Sequence, residues 1–314
     1  MMEEIEEGLQ ADTPNIPSKY FYDDYGSRLF EKIMRMPSYY LTDAEKHILE
    51  THHQNIIRYF AKDTNSINLI ELGAGDGIKT QILAESLMKN NIPFTYVPVD
   101  ISLEALKNLE TGFKKKYPQI KIQPLHTDYE TGLSSLNQQN GAKNVVLFLG
   151  STLGNFTPQA SYDFLAMISR NLKRKDILLI GLDLVKDPNV ILEAYNDPDG
   201  ITAEFNYNLL RRLNRELDAN FDLSKWRHQP VYDVEQKAAK SYLIATEKQT
   251  ITFAKYEKAF HFDQWAFIQT EISQKYDRRM ISALSKNNDF EIMKEYTDNR
   301  NYFLNAIWQK NYTI

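Results

Sequence analysis

The stretch INLIELGAGDGIKT, residues 67–80, restricts what this chain can fold into more than any other. Ile67, Leu69, Ile70 and Leu72 form an apolar run that breaks into glycine at every second position, Gly73, Gly75 and Gly77, before the chain turns polar. A short continuous apolar run closed by turn residues reads as a strand buried on both faces. Glycine directly after it frees the backbone to adopt conformations that side chains resist. It also lets a ligand come close to the N–H groups at the start of the next helix. In open α/β folds such a turn lies at the carboxyl edge of a parallel sheet, where ligands bind.

The rest of the chain fits that setting. INLIEL reads as a strand, KTQILAESLMKN as a helix, FTYVPVD as a strand and SLEALKNLETGFKKKY as a helix. IKIQPLHTD and NVVLFLG follow as strands, ASYDFLAMISRNLK as a helix and DILLIGLDLV as a strand. Ahead of them, Asp43 to Phe60 has helical spacing, with Ile48, Leu49, Ile56 and Ile57 on related faces. Strands alternating with helices predict right-handed βαβ units and a parallel sheet covered on both sides. Beyond Lys186 the rhythm breaks. GITAEFNYNLLRRLNREL is helical, KSYLIATEKQTITFAKY reads as two strands and AFIQTEISQKY as another. RRMISALSKNND then reads as a helix, and FEIMKEYTD with YFLNAIWQK as a closing antiparallel pair. Residues 1–16 show little periodicity and read as an arm. The layout is a doubly wound α/β domain interrupted by an insertion, with its last helix and strands returning to the sheet.

Composition narrows the class. The formal charge of −5 argues against a general electrostatic grip on nucleic acid. The absence of cysteine removes disulfides, thiolate metal sites and cysteine nucleophiles. No apolar run approaches the length that spans a bilayer, and MMEEIEEGLQAD lacks the basic and apolar regions of a secretory signal. A cytoplasmic enzyme is expected. His47, His52 and His53 have no partner at recognised metal spacing and read as a solvated helix face, so no metal is expected.

Which cofactor the turn cradles is decided by spacing. A dinucleotide fingerprint would need glycine at position 78, which is Ile78, and Lys79–Thr80 lacks the preceding glycine of a phosphate loop. The second strand ends in Asp100, 23 residues beyond Gly77, where a carboxylate can accept from ribose hydroxyls. The third ends in Asp128–Tyr129, a carboxylate and a ring that could receive an adenine. Glycine turn, ribose acid and third acidic edge, in order on three strands, are the set used by S-adenosylmethionine (SAM) methyltransferases.

Longer stretches carry a sharper likeness. KYFYDDYGSRLFEKIMRMPSYYLTDAE, IELGAGDGIKT, YVPVDIS, FLGSTLGNFTP, GLDLVKDPNVILEAYNDPDGITAEFNYNLLRRLNREL and TEISQKY together resemble the histidine-specific Nα-methyltransferase family, whose best-known member trimethylates histidine on the path to ergothioneine. Only the arm and the segments near 130–140 and 225–265 match loosely. The resemblance implies a Rossmann-like class I SAM methyltransferase domain, residues 46–186 and 275–314, with an inserted α+β substrate-binding domain formed by residues 1–45 and 187–274. It implies that Gly73, Asp100, Asp128 and Tyr129 hold SAM, or its product S-adenosylhomocysteine, with Lys79 near the methionine carboxylate. Asn155 and Tyr195 would bind the carboxylate and amine region of an amino-acid substrate, and Tyr22, Phe30 and Tyr39 would wall the pocket. Glu271 and Ser273 would read the imidazole. Tyr22 and Asn155 would orient the amine, with Tyr22 assisting departure of its proton through water. A monomer acting on a small molecule is expected.

Elementary chemistry agrees with the pairing of Glu271 and Ser273, which lie two apart and share a strand face. A carboxylate accepts from an imidazole N–H, while a hydroxyl can donate or accept at the other nitrogen. The bland alternatives are a solvated face for TEIS, ordinary core for the three aromatics, and a helix cap for Asn155 before TPQASYDF. One departure from the family stands at Ser241 in KSYLIA, where its histidine enzymes usually place methionine. A smaller residue there would enlarge the ring pocket, and an N-methyltransferase of another amino acid or amine, such as tryptophan, is the rival reading. A non-catalytic SAM-binding protein is a second rival, at odds with pocket residues retained on both sides of the methyl. A nucleic-acid methyltransferase would want an N/D-P-P-Y loop where this chain has GSTLGN.

Overall fold

The order in which strands pair carries the fold. In the computed structural model, which describes residues 1–136 and 141–311, the strands are β1 Ile67–Leu72, β2 Phe94–Asp100, β3 Lys121–Ile122, β4 Leu125–His126, β5 Lys143–Phe148 and β6 Ile177–Asp183. Then come β7 Trp226–Asp233, β8 Ala238–Ala245, β9 Gln249–Phe253, β10 Lys258–Phe262 and β11 Phe267–Gln274, and finally β12 Phe290–Thr297 and β13 Phe303–Lys310. The end of the loosely matched segment near 130–140 lies outside the described residues. The chain divides into two compact units, Met1–Thr42 with Val185–Lys275 and Asp43–Leu184 with Tyr276–Ile314.

The second of these units holds the large sheet, ordered β12-β13-β6-β5-β1-β2-β3, with β4 also pairing β2. From β3 to β6 neighbouring strands are parallel, whereas β13 runs antiparallel to both β6 and β12. All residues of β5 and β6 are buried, as expected of strands covered on both faces. Chain order reverses between β1 and β5, so the turn after β1 and the loop after β5 lie side by side at the topological switch point. This is the class I Rossmann-like arrangement, closed by an antiparallel pair.

One predicted strand is broken. IKIQPLHTD forms two short pieces, β3 and β4, in a single register against β2. Continuing that register sets Pro98 against Pro124, and neither has an N–H to extend the ladder.

In the other unit, β7, β8 and β11 make an antiparallel sheet in the order β11-β8-β7, and β9 pairs with β10 as a hairpin. The helix Ile201–Leu217 presents Phe205, Leu209, Leu210, Leu213 and Leu217 to this unit's core. Residues 1–16, read as an arm, are ordered by the same core. Met2–Gln10 is a helix whose Ile5 and Leu9, one turn apart, are buried, and the chain then bridges alongside Gln269. Ile16 donates to the Gln269 carbonyl at 3.0 Å, and Gln269 donates back to the Pro14 carbonyl at 2.8 Å.

Candidate active site

At the switch point the glycines do what only glycine does cheaply. Gly73 (φ +74°) and Gly77 (φ +65°) are left-handed, the latter starting the helix Ile78–Lys89. A Cβ on Gly73 would lie 2.7 Å from the Tyr129 hydroxyl, and one on Gly77 would lie 2.9 Å from Phe113. Asp100 ends β2 and accepts from the Ser102 N–H at 2.9 Å. Asp128 accepts from the Thr131 N–H at 2.9 Å and the Thr131 hydroxyl at 2.7 Å, bonds that hold its carboxyl below the usual carboxylate range. The Tyr129 ring packs edge-on to Phe148 and Phe164, with centroids 6.3 and 5.9 Å away. Burial and the charge of Asp100 push its phenol up to about 12. Gly73, Asp100, Asp128 and Tyr129 therefore form one cluster.

Lys79 is held from beneath. Its ammonium donates to Glu45 at 2.5 Å, and Glu45 is completely buried. The same carboxylate accepts from the Gly150 N–H at 2.8 Å and from the Asn305 amide at 2.9 Å. A Cβ on Gly181 would fall 2.0 Å from Glu45 Oε1, which is why a glycine interrupts the apolar run of β6. One carboxylate thus ties the turn after β1 to the loop after β5. Nearby, Glu71 accepts from the Tyr96 hydroxyl, and burial raises its carboxyl to about 7.

Asn155 closes the single turn Thr152–Asn155 in the loop after β5. Thr157, not Asn155, caps the following helix Pro158–Arg170, accepting from Ala160 at 3.3 Å. The cap explanation for Asn155 is thereby removed, and its amide has no hydrogen-bond partner among the described residues. His47 is exposed, as its helix position suggested, whereas His52 and His53 are partly buried. His52 stacks on Tyr296 at 4.7 Å, and His53 shares a 2.9 Å hydrogen bond with Ser86.

The remaining candidates all lie in the unit built on β7, β8 and β11. Tyr22 meets Phe30 edge-on at 5.6 Å, Phe30 meets Tyr39 at 6.2 Å, and Tyr39 meets Tyr195 at 6.4 Å. Phe205 backs this row, 5.9 Å from Tyr22 and 6.0 Å from Phe30. At its end the Tyr195 hydroxyl donates to Ser273 Oγ at 2.7 Å. On the same strand face Glu271 accepts from Ser241 at 3.1 Å, its direct cross-strand partner. Burial raises the Glu271 carboxyl, while the Ser241 bond and the charge of Lys275 oppose that rise. Ser241 is buried, and its one described side-chain bond is to Glu271.

With that geometry in view, comparison with known proteins is decisive. The model of the family described as histidine-specific methyltransferase, SAM-dependent, matches residues 1–310. The chain belongs to this family. It is 33% identical to a histidine N-alpha-methyltransferase of Mycobacterium tuberculosis over 280 residues, 89% of this chain and 85% of the relative. It is 34% identical to the protein of that name from Mycolicibacterium smegmatis over the same shares. An ergothioneine biosynthesis protein 1 of Schizosaccharomyces pombe is 29% identical over 94% of this chain and 38% of the relative. The protein is accordingly a SAM-dependent amino-acid N-methyltransferase. Among the described residues no helix is long and apolar enough to cross a membrane.

The methyltransferase carries polar residues that sequence reasoning passed over. Glu45 lies three and four residues before Ile48 and Leu49, so a carboxylate on the apolar stripe of its helix was the available signal. Lys275 continues the two-residue spacing of Glu271 and Ser273 and is completely buried. Its ammonium donates to Tyr195 Oη and Ser273 Oγ, each at 2.8 Å.

Proposed function

We propose that the enzyme methylates the α-amino group of L-histidine, up to the trimethylated product hercynine. The observation that carries this reading is a complementary pair on one strand face. Glu271 uses Oε2 for Ser241 and leaves Oε1 without a partner among the described residues. Ser273, two residues on and buried, accepts twice and has no described acceptor for its own hydrogen. An acceptor beside a donor suits a neutral imidazole, which has one N–H and one bare nitrogen.

SAM supplies a methyl group on a sulfonium centre when bound. We assign Gly73, Asp100, Asp128 and Tyr129 to its nucleoside and Lys79 to its carboxylate. The open backbone of the turn, a ribose-height carboxylate and a cation are the donors and acceptors that a zwitterionic nucleoside needs. Methyl transfer is an in-line displacement, so the protein's main task is to align a neutral amine lone pair, and alignment alone can supply several kcal/mol. Asn155, with its uncommitted amide, and Tyr195 would orient the carboxylate and amine. Tyr22, with 44% of its surface exposed, would pass the amine proton to water. The aromatic faces of Tyr22, Phe30 and Tyr39 favour the quaternary ammonium that the third transfer leaves, through cation–π attraction. On this reading the unit Met1–Thr42 with Val185–Lys275 is the substrate-binding domain and the unit Asp43–Leu184 with Tyr276–Ile314 the SAM-binding domain, with boundaries one to three residues from the expected 1–45, 187–274, 46–186 and 275–314. A small-molecule substrate, a cytoplasmic location and a monomeric state belong to the same proposal.

A turnover assay with SAM and a panel of free amino acids tests it. Histidine should be converted far faster than phenylalanine, leucine or tryptophan. Tryptophan turning over while histidine is ignored would favour the rival acceptor and leave the methyltransferase class intact.

A further inference from the structure

Asparagine occurs twice inside the helix Ile201–Leu217, where it helps a helix least. Asn206 and Asn208 both lie in the helix interior and both are buried. Asparagine is a poor helix former, and a buried amide costs stability unless its hydrogen bonds are met. Each has a partner outside the helix. Asn208 donates at 2.8 Å to Asp23, the cap of the helix Asp24–Ile33. Asn206 serves β11 instead. Its amide nitrogen donates to the Thr202 carbonyl at 2.9 Å, and its oxygen accepts from the Thr270 hydroxyl at 2.5 Å. A carbonyl can only accept, so the bond to Thr202 identifies the nitrogen and leaves the oxygen to meet Thr270.

Thr270 stands where β11 changes register. Ile268 faces Leu243 and Glu271 faces Ser241, three steps along β11 against two along β8. Leu243 and Ser241, two apart, share one face of the sheet. Ile268 and Glu271 therefore share it too, although they are three apart and a regular strand would set them on opposite faces. A bulge of this kind places an extra residue in one strand and re-aims the side chain beside it. This one is gripped from two directions. Gln269 exchanges backbone bonds with Pro14 and Ile16 along the outer edge, and the buried Thr270 is held from the helix by Asn206. The Thr270 hydroxyl also lies 3.1 Å from the Ser241 carbonyl, across the strand pair.

We propose that Asn206 and Thr270 are positioning residues whose hydrogen bond pins this bulge and so aims the Glu271 carboxylate at the substrate's ring. The proposal rests on the histidine reading above. Glu271 owes its place on the site's face to the irregularity immediately before it, so freeing Thr270 loosens the carboxylate. Neither Asn206 nor Thr270 needs to touch the substrate.

Calorimetry on the full chain loaded with S-adenosylhomocysteine tests this by comparing histidine with an alanine carrying a thiazole ring. The thiazole keeps a bare ring nitrogen and has sulfur in place of the N–H that Glu271 would accept. Wild type should prefer histidine by about 10- to 100-fold, the usual cost of leaving a buried acceptor unpaired. Thr270→Val should lower that preference about three- to tenfold, the scale of one buried hydrogen bond, with S-adenosylhomocysteine affinity unchanged. Thr270→Ser, which keeps the hydroxyl, should restore the preference. In Glu271→Ala the preference should be absent, and adding Thr270→Val should change it no further, because the threonine acts through the glutamate. An equal weakening of both ligands by Thr270→Val, or a further loss of preference in the double variant, would overturn the proposal. Asn206→Ala removes the acceptor from the helix side and should reproduce the loss. An unchanged preference there would overturn the proposal even if Thr270→Val does not fold. If Glu271→Ala alone keeps the histidine preference, the histidine reading fails and the proposal falls with it, a result that appears without any change at Thr270 or Asn206.

Discussion

The two units carry their sites by different means. At the switch point the essential requirement is on the backbone. Gly73 and Gly77 take left-handed conformations that a side chain would spoil, and the carboxylates follow at strand ends fixed by the sheet. The polar groups there are mostly satisfied internally, as with Asp128 on Thr131 and Lys79 on Glu45. On β11 the reverse holds. The backbone is a strand whose register against β8 shifts once, between Gln269 and Glu271, and the candidate site consists of side chains whose hydrogen bonds are partly unmade, Glu271 and Ser273 above all. On the proposed reading, the cofactor is gripped by backbone geometry, and the acceptor is read by the balance of donors and acceptors.

The sharpest way to break that contrast is Glu271→Ala. On the proposed reading, rejection of rings that cannot place an N–H beside Glu271 comes from an unpaired buried carboxylate, and sites of that kind discriminate by factors of roughly 10⁴. The variant should lose most of its histidine turnover, improve its relative rate with tryptophan, and bind SAM as wild type does. A competition assay over the amino-acid panel reads the first two and calorimetry the third. Full histidine preference in the variant would remove the imidazole-reading role while sparing the methyltransferase assignment.

The same contrast explains what could be read in the sequence. Backbone requirements leave marks on residue type, so the glycine turn, Asp100 and the alternating strands were visible before any coordinates. Side-chain networks leave weaker marks. Glu271 and Ser273 needed a resemblance to stand out from a solvated face, and Lys275 was missed although its spacing continues theirs, because lysine at a strand end is ordinarily exposed. Glu45 was hidden for a similar reason, as one acid among many in a charged helix. The helix Met2–Gln10 escaped notice because four glutamates surround its buried apolar side chains, Ile5 and Leu9. The gap between β3 and β4 came from two prolines far apart in the chain, whose opposition only the sheet register reveals.

A second test concerns the buried acid beneath the turn. The folded protein holds the Glu71 proton up to about 7, whereas the unfolded chain releases it near the ordinary 4.5. Below 4.5 both states are protonated and the stabilisation is complete. As pH rises through 7 it is lost, by about 3 kcal/mol at most, since each pKa unit corresponds to roughly 1.4 kcal/mol. Urea unfolding between pH 4.5 and 8 should show this decline in wild type and its absence in Glu71→Gln. Parallel curves would mean that Glu71 is ionised throughout.

Glu45→Ala sharpens the claim that the cofactor unit is internally satisfied. The change strands three donors, on Lys79, Gly150 and Asn305. Because the Lys79 side chain retains 22% of its exposure, water can recover part of its solvation, and the expected loss is about 2 kcal/mol rather than the 3–5 of a fully buried pair. Thermal unfolding should register it, and SAM affinity should fall because Lys79 is no longer aimed. Unchanged SAM affinity in a destabilised protein would confine Glu45 to a structural role.

The smallest expected effect is also the cleanest separation of the two regions. Asp100 makes one hydrogen bond within the described protein, to the Ser102 N–H, and its remaining acceptor capacity is what a ribose hydroxyl pair would use. Asp100→Ala should weaken SAM binding at least tenfold, about 1.4 kcal/mol, through loss of a charged acceptor. Asp100→Asn, which keeps an oxygen at that position, should recover part of it. Neither variant should alter the ranking of amino-acid substrates, because no part of that ranking depends on the ribose. Calorimetry with S-adenosylhomocysteine measures the first expectation, and the panel assay at saturating SAM measures the second. A shift in amino-acid preference on removing Asp100 would mean that the cofactor and acceptor sites are read jointly, and the contrast between a backbone-built and a side-chain-built site would fail.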